Sequence, residues 1–189
     1  MIIALLKKLG FIKPDPAAVA LYTEAIKAAR RLDHFTEMGV PDTLDGRFDM
    51  LSLVVALVNR RIGLAGPQNR ERINVLAQEL FDVMFMDIDS NLRESGVSDE
   101  GMKGRIKPMA SQHLGRIKGY TDALTPMDEQ QRFQEMKDAV LRNVYRDTED
   151  TSGADKLAQR AIDYSVELDG ASDEDILAGR FSFKTGADQ

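Results

Sequence analysis

From Ile73 onward, apolar residues fall at 73, 76, 77, 80, 81, 84, 85, 88 and 92, in alternating short steps of three and one. Only an amphipathic helix puts such residues on one wide face, because side chains three and four apart stack above one another. At about 100° per residue the opposite side gathers Gln78, Asp82, Asp89 and Arg93 into one polar stripe, with Asp87 and Glu94 at the border of the apolar face. A helix of this kind needs other helices to cover it. The chain around it supplies helical patterns and no strand alternation.

Asp15-Pro16 reads as a helix start running to about Met38, with Val19, Tyr22, Ile26, Ala29 and Phe35 inward. A second helix, near Asp45 to Ile62, has almost no polar face and is expected to be the buried central one. The helix on Leu76 should stop at Ser95-Gly96, and Ser98 should cap a short helix, with a kink or restart at Pro108. Met109, His113, Ile117, Tyr120 and Leu124 mark the next face. Further helices are expected from Thr125-Pro126, from Ser152 and from Ser172, where Ser172 and Asp175 form a weak capping box. The expectation is an all-α fold, a single compact domain of about seven or eight helices. A short amphipathic arm (1–13) precedes the domain (14–183), and a frayed tail (184–189) follows.

The chain has no Cys, which excludes thiolate metal sites, disulfides and Cys nucleophiles. Net charge is -6, unevenly spread: residues 122–189 hold 16 acids and 8 bases, while 101–121 contain five bases (Lys103, Arg105, Lys107, Arg116, Lys118) and no acid. The overall balance argues against DNA as a partner, and the local patch leaves room for an anionic one. Met1 to Leu6 followed by Lys7-Lys8 fits neither a secretory signal nor a span of ~20 apolar residues; it reads as a short amphipathic arm that docks on its own domain or, as the alternative, seeks an anionic membrane surface.

Asp87-Ile88-Asp89-Ser90-Asn91 imitates the start of a calcium loop, but Leu92 and Ser98 stand where Gly and Glu are required. No metal, cofactor or catalytic constellation is therefore assigned. His34 and His113 sit on helical patterns, and no phosphate loop or nucleophile elbow is visible. The carboxylates serve most simply as ion-pair partners of Arg93, Arg105 or Arg116. Arg47, beside Asp42, Asp45 and Asp49, reads as a capping cluster or as the rim charge of a groove.

Pro41 to Met50, Leu80-Phe81-Asp82, Phe85-Met86-Asp87-Ile88-Asp89, Leu92 to Val97, Gly115-Arg116, Tyr120 to Leu124 and Leu141 to Tyr145 together resemble the ubiquinol–cytochrome c chaperone family, in its bacterial form. Leu177 to Phe181 fits as well. The pattern departs at Val54, at Ser98-Asp99-Glu100 and at Pro108. No Arg- and Ser-rich leader stands before the domain, which also points to a bacterial member. The resemblance implies a non-enzymatic assembly chaperone of the cytochrome bc1 complex. It would hold newly made cytochrome b at the cytoplasmic face of the inner membrane, with a second assembly factor or the ribosome as further partners. Such a protein needs an apolar groove with a charged rim. Candidates for it are Arg47, Asp82, Met86, Asp87, Asp89, Arg93, Met102, Lys103, Arg105, Lys107 and Arg116. The competing class is a small helical enzyme or lipid-handling protein with an internal cavity.

Overall fold

The computed structural model describes residues 13–184 apart from 95 and 97, and leaves out the side chains of 99, 102 and 103. The expected N-terminal arm, but for Lys13, and the tail beyond Lys184 lie outside the described residues. Among them are eight α-helices and no strand: α1 (Pro16–Ala29), α2 (Leu32–Thr36), α3 (Leu44–Gly63), α4 (Arg70–Glu94), α5 (Asp99–Ala123), α6 (Glu129–Asn143), α7 (Ala154–Asp169) and α8 (Asp173–Leu177). A 3-10 turn, Pro67–Asn69, leads into α4.

The central helix is α3, as its composition requires. Met50, Leu53, Val54, Val55, Ala56, Leu57, Val58 and Ile62 are all buried, and α1, α4, α5, α7 and α8 pack around them. Burying each such side chain contributes about 1.5–3 kcal/mol, so this one helix carries much of the core's stability. Thr43 caps its start by accepting from the Gly46 amide at 3.1 Å. Gly46 is obligatory for a different reason: a Cβ there would lie 1.9 Å from the Pro41 carbonyl oxygen. Gly46→Ala should therefore lower stability by roughly 2 kcal/mol or more, read as a drop in melting temperature. Gly115→Ala, where nothing lies within 4 Å, should raise it slightly, by about 0.5–1 kcal/mol. Similar melting temperatures for both variants would contradict this packing.

The α4 face is narrower than its sequence pattern. The fully covered residues are Leu76, Leu80, Met84, Ile88 and Leu92, each four positions from the last, with Ile73, Ala77, Val83 and Phe85 packed at the edges. Phe81 stacks on Phe85 at 4.6 Å, and both rings stand 6.1 Å from that of His113 on α5. Gly96 follows α4 with φ +82°, the left-handed conformation expected of its C-terminal cap.

Several boundaries differ from expectation. The first helix breaks at Arg30-Arg31, where Arg31 turns extended and its guanidinium grips Asp33, so α2 is a separate short helix. Val19 points outward, and Leu21, Ala25 and Ala28 take the core positions instead. No restart occurs at Pro108: α5 is continuous through it. The acceptor left without its amide is the Gly104 carbonyl, on an exposed turn that water can reach. The following helix starts at Glu129 rather than at Thr125-Pro126, because Asp128 accepts from the Gln131 amide at 2.7 Å. At the C-terminus, Phe183 packs on Tyr164 at 4.8 Å and Phe181 packs edge-on against Phe183, so residues 180–184 lie docked along the domain.

Candidate functional site

The acidic stretch before α3 splits into an outer and an inner half. Outside, the exposed Arg47 makes a two-pronged bond to Asp42, at 2.6 and 3.2 Å, and lies over the Phe35 ring at 5.7 Å. Two residues on, Asp49 faces inward at 2% exposure. It sits between the guanidiniums of Arg116 and Arg146, each at 2.6 Å, while Arg116 also covers the Phe48 ring at 5.1 Å. Burial pushes the Asp49 carboxyl above its ordinary range, and the two arginines oppose that shift. Next to this pair, the Ser52 hydroxyl meets His113 Nδ1 at 2.8 Å, and both side chains are buried. Burial pushes the His113 imidazole down to about 4, so it is neutral at physiological pH.

Between the outer half of this stretch, the α1–α2 corner and the C-terminal half of α4 lies a cleft of about 310 Å³. Its floor is Phe48, Leu51, Ile88 and Leu92; its walls are Leu32, Phe35, Leu44 and, from α5, Met109. Leu32 is 74% exposed and Leu44 48%, so the mouth itself is apolar and open. The polar groups at the edge are Arg30, the Asp42–Arg47 pair, Asp87 and Asn91. Asp87 is fixed by Tyr22, whose hydroxyl donates to its Oδ2 at 2.9 Å; burial, followed by this carboxylate, holds the Tyr22 phenol well above its ordinary range. It is a surface cleft and not an enclosed chamber.

Of the residues expected from sequence at a groove, Arg47 and Asp87 line this one. Asp82 accepts from Gln78 at 2.8 Å, and Arg93 donates to Asp89 at 2.9 Å, both along α4 and away from the cleft. Met86 is half-buried on α4, and Arg105 and Lys107 are exposed on α5. Arg116 is in the core as the partner of Asp49. The side chains of Met102 and Lys103 lie outside the described ones. Arg30, Leu32, Leu44, Leu51 and Met109 also line the cleft, and none of them is among the groove candidates that the sequence offers. Their one signal was Leu32, an apolar residue directly after two arginines. No group of three or more His, Asp or Glu side chains placed to hold a metal occurs among the described residues.

The described residues thus form an all-α domain with an open, charge-edged apolar cleft on its surface. The family is shown directly: the ubiquinol-cytochrome C chaperone model matches residues 36–183, and the chain belongs to that family. Among solved structures, it is similar to the crystal structure of the Cbp3 homolog from Brucella abortus. The two are 32% identical, with a TM-score of 0.74, and the match covers 97% of this chain and 96% of that one. None of the curated proteins compared matches. Membership points to an assembly chaperone and away from an enzyme. Among the described residues no helix is long and apolar enough to cross a membrane.

Proposed function

We propose that this protein is an assembly chaperone of the cytochrome bc1 complex that holds newly made cytochrome b across the cleft between α2, α3 and α4. The observation that carries the reading is the exposed pair Leu32 and Leu44 beside an apolar floor, in a chain whose family is that of ubiquinol–cytochrome c chaperones. A membrane-protein client arrives with apolar surface that must be shielded until it is assembled, and an apolar mouth offers that shielding transiently. Met109 at the wall suits a surface that adapts to its occupant. The protein acts peripherally at the cytoplasmic face of the inner membrane, where a second assembly factor, the ribosome and anionic lipid are its further contacts. The charged residues outside the cleft (Asp82, Asp89, Arg93, Arg105 and Lys107) serve encounter and orientation.

Leu32→Glu with Leu44→Glu changes two exposed positions, so the helical signal and melting temperature should stay near those of the parent. The same variant should crosslink several-fold less to newly made cytochrome b. It should also lower bc1 content in cells, relative to another respiratory complex. Unchanged capture by a folded double variant would move the client to another surface.

A further inference from the structure

We propose that residues 1–12 of this chain dock as an amphipathic helix along the outer seam between α1 and α4. Lys7 and Lys8 then face the acidic line Glu79, Asp82 and Asp89. Three observations carry this: where the chain enters the fold, the apolar side chains left open along the seam, and the charges on its two sides. None of them involves the client cleft.

The entry point is fixed. The Asp15 amide donates to Glu79 of α4 at 3.2 Å, and Arg72 of α4 donates to the Asp15 carboxylate at 3.3 Å. Two turns on, the Tyr22 hydroxyl donates to Asp87, so α1 and α4 lie side by side and run the same way. A segment that ends at Lys13 is therefore delivered to α4 beside Glu79. Doubling back from there, it follows α4 toward Asp89. Glu79 to Asp89 spans about 15 Å, and residues 1–9 as a helix span about 13.5 Å. Residues 10–13, starting with Gly10, suffice to turn the chain over the roughly 8–10 Å between packed helices.

The seam is apolar and incompletely covered. Val19 shares the line of Asp15 and Tyr22 on α1 and is 40% exposed. On α4, Val83 stands between Glu79 and Asp87, four residues from each, and is only partly buried. Met86, three further on, is half-buried as well. In the arm, Ile2, Leu5, Leu6 and Leu9 fall at helical spacing on one face, with Lys7 and Lys8 off it. This face covers Val19, Val83 and Met86.

The charges agree with the direction. From Ile73 to Glu94, α4 carries five acids (Glu79, Asp82, Asp87, Asp89 and Glu94) and one base, Arg93. On α1 and its cap, Asp15 and Glu24 balance Lys27 and Arg30. The helix α5, with its bases, meets α4 along the other edge, at Phe81 and Phe85. Residues 1–13 contain three bases (Lys7, Lys8 and Lys13) and no acid. The start of α4, where Arg70 and Arg72 outnumber Glu71, would repel them, so the arm runs toward Asp89. The same apolar face and lysines suit an anionic bilayer, from which a docked arm is withheld. Docking also covers Asp82 and Asp89, which become available for client encounter when the arm leaves.

The chain has no Cys, so engineered pairs report proximity cleanly. In the full chain, Leu5→Cys with Met86→Cys should close an intramolecular disulfide on mild oxidation about tenfold faster than Leu5→Cys with Leu114→Cys, whose second site lies exposed on α5. Adding Asp82→Lys and Asp89→Lys should leave the melting temperature near the parent value and slow the Leu5–Met86 closure several-fold. Adding Lys7→Glu and Lys8→Glu to that variant should restore the rate, which a purely local effect on α4 would not do. Equal rates for the two cysteine pairs, or no recovery on charge exchange, would overturn the proposal. Disulfide-linked dimers in place of linked monomers would give the seam to a second copy. Faster closure of Leu5→Cys with Leu44→Cys would place the arm in the cleft. An arm that links nowhere, while phosphatidylglycerol vesicles bind the full chain and not a chain lacking residues 1–12, would belong to lipid alone. Each of these three results also overturns it.

Discussion

Asp49→Ala should be among the most damaging single substitutions in this chain, lowering the unfolding free energy by about 3–5 kcal/mol. The carboxylate is 2% exposed and neutralises Arg116, itself 4% exposed, which cannot turn to solvent without opening the packing of α5 on α3. Arg146 suffers less: a third of its side chain is exposed, and it already holds Asp147 at 3.0 Å. The loss thus comes mainly from a stranded guanidinium over the Phe48 ring, beside the fully buried Tyr120. The urea midpoint should fall with little change in slope. Removing the charge from both sides, with Asp49→Leu and Arg116→Met, should recover much of the loss, because an apolar pair of similar volume leaves no buried ion. A double variant as unstable as Asp49→Ala would locate the cost in packing instead. Asp42→Ala breaks an exposed pair of similar geometry and should hardly move the midpoint.

These two carboxylates show where reading the sequence succeeds and where it stops. Asp42, Asp45 and Asp49 look alike on paper, and a helix-dipole argument covers them all. Which one turns inward depends on the rotation of α3 against α5, which brings Asp49 against Arg116. The all-α class and the buried α3 were legible because period and composition agree over long stretches. The four-residue line of α4 was not, because Phe81 and Phe85 satisfy the same periodicity while packing on His113 from the edge. The cleft was half legible. Arg47 and Asp87 could be singled out as charges beside apolar runs, yet Leu32 and Leu44 come together only because the first helix breaks at Arg30. That break rests on the Arg31–Asp33 pair, which Arg160 of α7 completes from far along the chain. Arg116 could be read from sequence as a binding base or as an ion-pair partner. Deciding between them takes the position of Asp49.

Acid should destabilise this protein before most of its carboxylates are protonated, because both histidines are buried as neutral rings. His34 is fully covered, with Nδ1 facing the Ala29 carbonyl at 3.4 Å and Nε2 facing the Tyr164 hydroxyl at 3.5 Å. Burial, only partly offset by Asp33, brings it down to about 4, and burial brings His113 to about 4 as well. An unfolded chain protonates the same rings near their ordinary 6.5. Folding therefore excludes two protons that the unfolded state accepts. Stability is complete above pH 6.5 and falls as pH drops toward 4; below that these two groups add nothing more. Each histidine can remove on the order of 3 kcal/mol across the window, at 1.36 kcal/mol per pH unit. Against a total of about 5–15 kcal/mol, the pair removes a third or more of the stability by pH 4.5. Below about 3.8 the loss continues through Asp33: burial opposes its ionisation, but Arg31 and Arg160 prevail and hold it at about 2. Urea midpoints measured at pH 7.5, 6.5, 5.5 and 4.5 should fall steeply over the last two intervals. His113→Gln can still meet Ser52 but cannot take up a proton, so it should flatten that fall by about half, even if it costs stability at pH 7.5. A variant whose midpoint follows the parent curve in parallel would show that His113 is protonated as readily in the folded protein as in the unfolded chain. The acid sensitivity would then have to come from His34 and the carboxylates alone.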